Sequence, residues 1–183
     1  MTYSPFKREQ LMTVSDALDI AEDRTGAHYK FSSGQWKRHR YDVKTLSGLR
    51  KREIVPEAFA LLYKGVRLPN RFEPEARNRD DYLICIQDHE ILKALRRDEN
   101  LGLLPLLVYV FTHELIHIVR FSNFLQRFEV PEKDRELEEK VVHATTNRIL
   151  RGLSLPRLDY VLRSYEYYGF GDLVLSQEPI KDE

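Results

Sequence analysis

At 183 residues and 21.7 kDa the chain has the size of one domain, and its 42% hydrophobic content suffices for a core. Its 29 Lys and Arg balance 29 Asp and Glu, which speaks against the net basicity of a dedicated nucleic-acid binder. The single cysteine allows neither an internal disulfide nor a thiolate zinc cluster. With eight Gly and eight Pro, collagen-like and low-complexity classes are excluded. No charged leader with an apolar core opens the chain, so a cytoplasmic protein is expected.

A first helix is expected over residues 6–24, where Leu11, Val14, Ala17, Leu18 and Ala21 recur at helical spacing and Gly26 follows as a stop signal. Strands are expected next, at 29–31, 60–68 and 82–87, which are short, β-rich or continuously apolar and bounded by Pro, Gly or Asp. The Pro- and charge-rich stretch 69–81 reads as a long loop between them. Helices then take over at 90–97, 103–124, 132–151 and 158–168. The third of these starts beside Pro131 with an acidic first turn and stops at Gly152. The apolar run 101–111 is too short to span a bilayer and reads as the front half of a buried helix, so no membrane partner is expected. Strands first and helices later predict one α+β domain over residues 1–183, a small mixed or antiparallel sheet followed by two functional helices.

The chemistry is concentrated in His113-Glu114-Leu115-Ile116-His117, the pattern H-E-x-x-H. Two imidazoles four residues apart on a helix share one face and can bind a single Zn²⁺. Glu114 is then placed to take a proton from a metal-bound water. Because the surrounding helix is apolar almost all round, it is buried, and a buried His-Glu-His set without a partner costs several kcal/mol. A metal relieves that cost.

A site of this kind needs a third protein ligand, and the helix 132–150 offers candidates. Stepping about 100° per residue from Leu137 places Val141, Val142, Thr145 and Ile149 in one stripe, with Glu138 at its centre. Glu139 and His143 fall on the opposite side of that wheel. Glu138 is therefore the expected third ligand, with Glu139 and His143 as the alternatives. Asp134, one turn before Glu138, is either an outer-shell partner or an acidic first-turn residue.

The segment from about Leu103 to Leu150 resembles the zincin metallopeptidases, more narrowly the gluzincin type, whose third ligand is a Glu on a following helix. RELEEKVVHATTNRIL is similar to the corresponding helix of small peptidases that regulate phage immunity and stress repressors. The resemblance implies a zincin-like fold, a zinc cofactor, His113, His117 and Glu138 as ligands, Glu114 as general base, and a protein or peptide substrate. Thermolysin-like members carry an Asp four residues after the ligand Glu; here that position is Val142. Many zincins also pair extended substrate with an edge strand above the metal, and residues 82–87 resemble that strand by their order in the chain.

Four other features have a bland reading beside a functional one. Residues 35–52 are basic with Trp36 and Tyr41 interleaved, either a phosphate-binding strip or a solvated strand–turn–strand surface, and the neutral chain favours the surface. Tyr165, Tyr167 and Tyr168 offer a phenol for an oxyanion or simply aromatic packing. His89 reaches the cleft or only starts a helix, and Cys85 is a core residue. Two functions follow: a zinc-dependent metallopeptidase, or a catalytically silent zincin-like metal-binding module acting in protein or nucleic-acid interaction. The retained Glu114 favours the peptidase, because a purely structural site needs no base.

Overall fold

The computed structural model describes residues 3–32, 36, 39–66, 80–123, 131–165 and 176–177. These residues form a mixed α+β fold with five helices: α1 (Arg8–Tyr29), α2 (Asp88–Arg97), α3 (Leu103–Ser122), α4 (Glu132–Leu150) and α5 (Leu158–Tyr165). The sheet is built from β1 (Arg40–Lys44), β2 (Ala60–Val66) and β3 (Asp80–Ile86), with a two-residue β4 (Ser176–Gln177). Its order is β1-β3-β2-β4, with β3 antiparallel to β2 and parallel to β1. The expected loop over 69–81 lies outside the described residues, apart from Asp80 and Asp81 at the start of β3.

The α1 helix starts where the Gln10 side chain accepts the Lys7 backbone N–H at 2.8 Å. It does not stop at Gly26 but runs on to Tyr29, where Lys30 takes the left-handed conformation at φ 55° and Phe31 donates to the Gly26 carbonyl at 2.8 Å. The expected strand at 29–31 is therefore the end of a helix. Gly26 serves packing instead, because a Cβ there would meet Trp36 Nε1 at 2.9 Å. At the end of α4 the sequence reading holds: Gly152 sits at φ +90°, a conformation L side chains rarely adopt.

The sheet is buried on both faces. Ala60, Leu62, Tyr82, Ile84 and Ile86 turn towards the helices and join the main core. Their neighbours Leu61, Leu83 and Cys85 turn the other way, where Leu49, Val55 and Tyr63 cover them. This is the period-two alternation of a strand. Cys85 is a fully buried core residue, as expected.

The loop from Leu46 to Phe59 is tied to the start of α2 by two buried side chains. Gln87 donates to the carbonyls of Glu53 and Cys85 at 2.9 and 3.1 Å and accepts the Val55 N–H at 3.1 Å. The Asp88 carboxylate accepts the N–H of Phe6 at 2.8 Å and of Leu46 at 3.0 Å. Burial pushes the Asp88 carboxyl up against these hydrogen bonds.

The centre of the fold is α3, on which α1, α4 and α5 all pack. From Pro105 to Val119 every residue is buried. It is the one described helix long and apolar enough to cross a membrane, yet it lies mostly inside the fold. Its apolar surface is core surface.

Candidate metal centre

The H-E-x-x-H segment lies wholly within α3, with His113, Glu114 and His117 all 4% exposed or less. One helical turn apart, the two imidazoles bring their Nε2 atoms to 3.1 Å from each other. The carboxylate that meets them belongs to Glu139. Its two oxygens lie 3.3 Å from His113 Nε2 and 3.3 Å from His117 Nε2, so one side chain spans both rings.

Glu138, the carboxylate expected at this position, turns elsewhere. It forms a bidentate ion pair with Arg120, through Nε and, at 2.8 Å, through Nη2. The sequence wheel was centred on the wrong arc. Leu137 and Val141, which anchored its apolar stripe, are 57% and 42% exposed. The buried arc of α4 runs instead through Glu138, Val142, His143, Thr146, Ile149 and Leu150, and Glu139 faces into its middle with Glu138 at its edge. The α4 backbone thus sends two adjacent carboxylates in two directions, one to a guanidinium and one to a histidine pair.

The two helices run antiparallel, and their contacts keep step. Arg120 meets Glu138, His117 and His113 meet Glu139, and one turn further Tyr109 meets His143. The Tyr109 hydroxyl lies 2.8 Å from His143 Nδ1, and the ring of His143 lies 4.6 Å from that of His113. Buried His113 and His143, with Glu139 between, lie close enough to bind a metal ion, their ligand atoms all within 4.8 Å of one another.

Burial pushes the His113 imidazole down to about 4, because the low dielectric disfavours its charged form. Burial acts the same way on His117, but the Glu139 carboxylate beside it outweighs that effect and raises it. Glu139 is held well below the usual carboxylate range, the two histidines overcoming its own burial. Glu114, by contrast, is pushed up to about 7 by burial, and its Oε2 has no hydrogen-bond partner among the described residues. Burial also lowers His143. One carboxylate is thus held as an anion against imidazole nitrogens, and the other sits close to the balance point between proton donor and acceptor near neutrality.

Of the remaining sequence candidates, Tyr165 meets this cluster through Tyr109, whereas His89 sits at the start of α2. His89 stacks on Tyr3 with ring centroids 4.3 Å apart and sits beside Glu90 at the start of α2. Tyr165 packs its ring against Phe59 and Tyr109, at 5.7 and 6.0 Å; Tyr167 and Tyr168 lie outside the described residues. Trp36 and Tyr41 of the basic strip are tied to the fold, Trp36 through Phe31 and His39 and Tyr41 through a hydrogen bond to Glu22. The strand expected to offer its edge to substrate is β3, and it lies in the interior of the sheet between β1 and β2. Asp134 is exposed.

Sequence reasoning passed over Tyr109, although its position one turn before His113 puts it on the ligand face. No family model, no curated protein and no solved structure matches this chain.

Proposed function

We propose that this protein is a zinc-dependent metallopeptidase of zincin-like fold, with His113, His117 and Glu139 as the metal ligands and Glu114 as the general base. The observation that carries the reading is the Glu139 carboxylate spanning the Nε2 atoms of two histidines one turn apart on a buried helix. Imidazole nitrogen and carboxylate oxygen are the donor types of catalytic zinc sites. In the metal-free chain the Glu139 carboxylate raises the proton affinity of His117; a dication would meet the same carboxylate. The buried Glu114 Oε2, an acceptor with nothing to accept among the described residues, fits the same set.

A bound zinc supplies Lewis acidity and an acidified water. The chain supplies the rest. Glu114, next to His113 on the helix with its Oε2 unpartnered among the described residues, would accept the proton and pass it on to a leaving amine. Burial of α3 excludes bulk water, so these exchanges occur at low dielectric, where each electrostatic contact counts for more. The Arg120–Glu138 pair joins α3 to α4 beside this set without being part of it.

The substrate class is a protein or peptide, and the small neutral chain suits a selective regulatory protease better than a digestive one. A cytoplasmic setting belongs to this reading. The test is hydrolysis of a fluorogenic peptide library by the zinc-loaded chain and by Glu114→Gln. Hydrolysis by the wild type alone, with zinc retained in both, is the expected result. Equal hydrolysis by both proteins would refute Glu114 as the base. Zinc binding without hydrolysis in either would favour the silent metal-binding module.

A further inference from the structure

Three donors account for His113, His117 and Glu139, but the antiparallel register of α3 and α4 brings a fourth. His143 stands one helical turn after Glu139 on α4, is 8% exposed, and is one of the three residues whose ligand atoms lie within 4.8 Å of one another. Two atoms bound to one zinc at about 2.0–2.2 Å each lie no more than about 4.4 Å apart. His113, Glu139 and His143 are thus grouped near the spread that one ion requires, and His117 joins them through the other oxygen of Glu139.

The Tyr109 hydroxyl decides which ring nitrogen is available. It occupies Nδ1 at 2.8 Å, which leaves Nε2 as the coordinating atom. When Nδ1–H donates to the Tyr109 oxygen, the ring adopts the tautomer whose lone pair is on Nε2, the form a metal requires. Outer-shell partners of metal-bound histidines act in this way, fixing both tautomer and ring orientation.

We infer that His143 is a fourth protein donor to the metal, with Tyr109 as its positioning residue. The inference rests on the metal-centre reading above and changes what the site can do. Centres with an open position are catalytic, whereas a full protein shell is the mark of a structural site. With His143 engaged, His113, His117, Glu139 and His143 would together fill a four-donor protein shell, and substrate would reach the ion only if one of them gave way. A peptidase built this way is restrained in its resting state.

The test compares the full-length wild type with His143→Asn and Tyr109→Phe. Asparagine places a nitrogen near the Nδ1 position, keeping a partner for Tyr109, but has nothing at the position of Nε2. Zinc affinity is measured by competition with a chromophoric chelator, and coordination by the visible absorption of the Co²⁺-loaded proteins. Circular dichroism of the metal-free forms checks folding, and His143→Ala, which also has no donor at the Nε2 position, serves if the asparagine variant does not fold.

His143→Asn is expected to weaken zinc binding by about 100-fold or more and to change the cobalt bands. Tyr109→Phe should weaken it by about tenfold with the band pattern kept, as loss of an outer-shell partner does. Unchanged affinity and an unchanged cobalt spectrum in a folded His143→Asn protein would overturn the inference while leaving a three-donor centre intact. A wild type that takes up neither ion would instead refute the metal centre itself.

Discussion

The contrast between Glu138 and Glu139 gives a prediction that two adjacent, chemically identical residues must satisfy in opposite ways. Glu138→Gln removes the charge facing Arg120, whose side chain is 19% exposed against 10% for its partner. Breaking a fully buried ion pair costs about 3–5 kcal/mol, and an exposed one contributes about 0–1 kcal/mol. A pair with this partial exposure lies between, at about 2 kcal/mol, which for a chain of this length lowers Tm by about 4–8 °C. Zinc binding is left nearly intact. Glu139→Gln does the reverse, because it removes the carboxylate spanning the two histidines.

Thermal unfolding with and without zinc separates the two. At a zinc concentration of about 1,000 Kd, binding stabilises the native state by about 4 kcal/mol, raising Tm by about 8–16 °C. The wild type and Glu138→Gln should both show that increment, the variant from a lower starting point. Glu139→Gln should lose it. A Glu138→Gln protein that lost the zinc increment while Glu139→Gln kept it would refute the assignment and restore the ligand expected from the sequence.

Two further outcomes follow from buried carboxyls. In the metal-free native state Glu114 holds its proton up to about 7, against an ordinary value of 4.5. Between those limits the native chain binds more protons than the unfolded one, so this group makes stability fall as pH rises. Glutamine does not titrate, so urea unfolding in the presence of chelator should show Glu114→Gln gaining on the wild type from about pH 4.5 to 7; a pH-independent difference would contradict the shift. Asp88→Asn replaces one of two acceptor oxygens by an amide that faces the N–H of Phe6 or Leu46. It should cost about 2 kcal/mol, a Tm fall of about 4–8 °C, and an unchanged Tm would show that these buried bonds contribute little.

The histidine pair was legible in the sequence because its spacing is local: one helical turn within an unbroken apolar run sets the geometry of His113 and His117 by itself. The third donor was not, because Glu138 and Glu139 differ by one step on the wheel and the choice depends on which face of α4 is inside. Exposed Leu137 and Val141 gave a false stripe, and only the packing against α3 corrects it. The α1 helix outran Gly26 for a related reason, since that glycine answers to Trp36 rather than to the helix end.

The β1 strand, RYDVK, alternates charged Arg40, Asp42 and Lys44 with Tyr41 and Val43, which pack against the main core; the sequence places it in a solvated strand–turn–strand surface, without a partner strand. Its pairing with β3 is what moves β3 from the edge to the interior of the sheet. Strand order is a long-range property, and local pattern carries little information about it.

The most direct test of the account is the zinc content of the full chain, measured by elemental analysis after loading and desalting, beside His113→Ala. One zinc per wild-type chain and none retained by a folded His113→Ala protein is the predicted result. A wild type that retains no zinc, or an alanine variant that retains as much, would contradict the metal centre on which the proposed function rests.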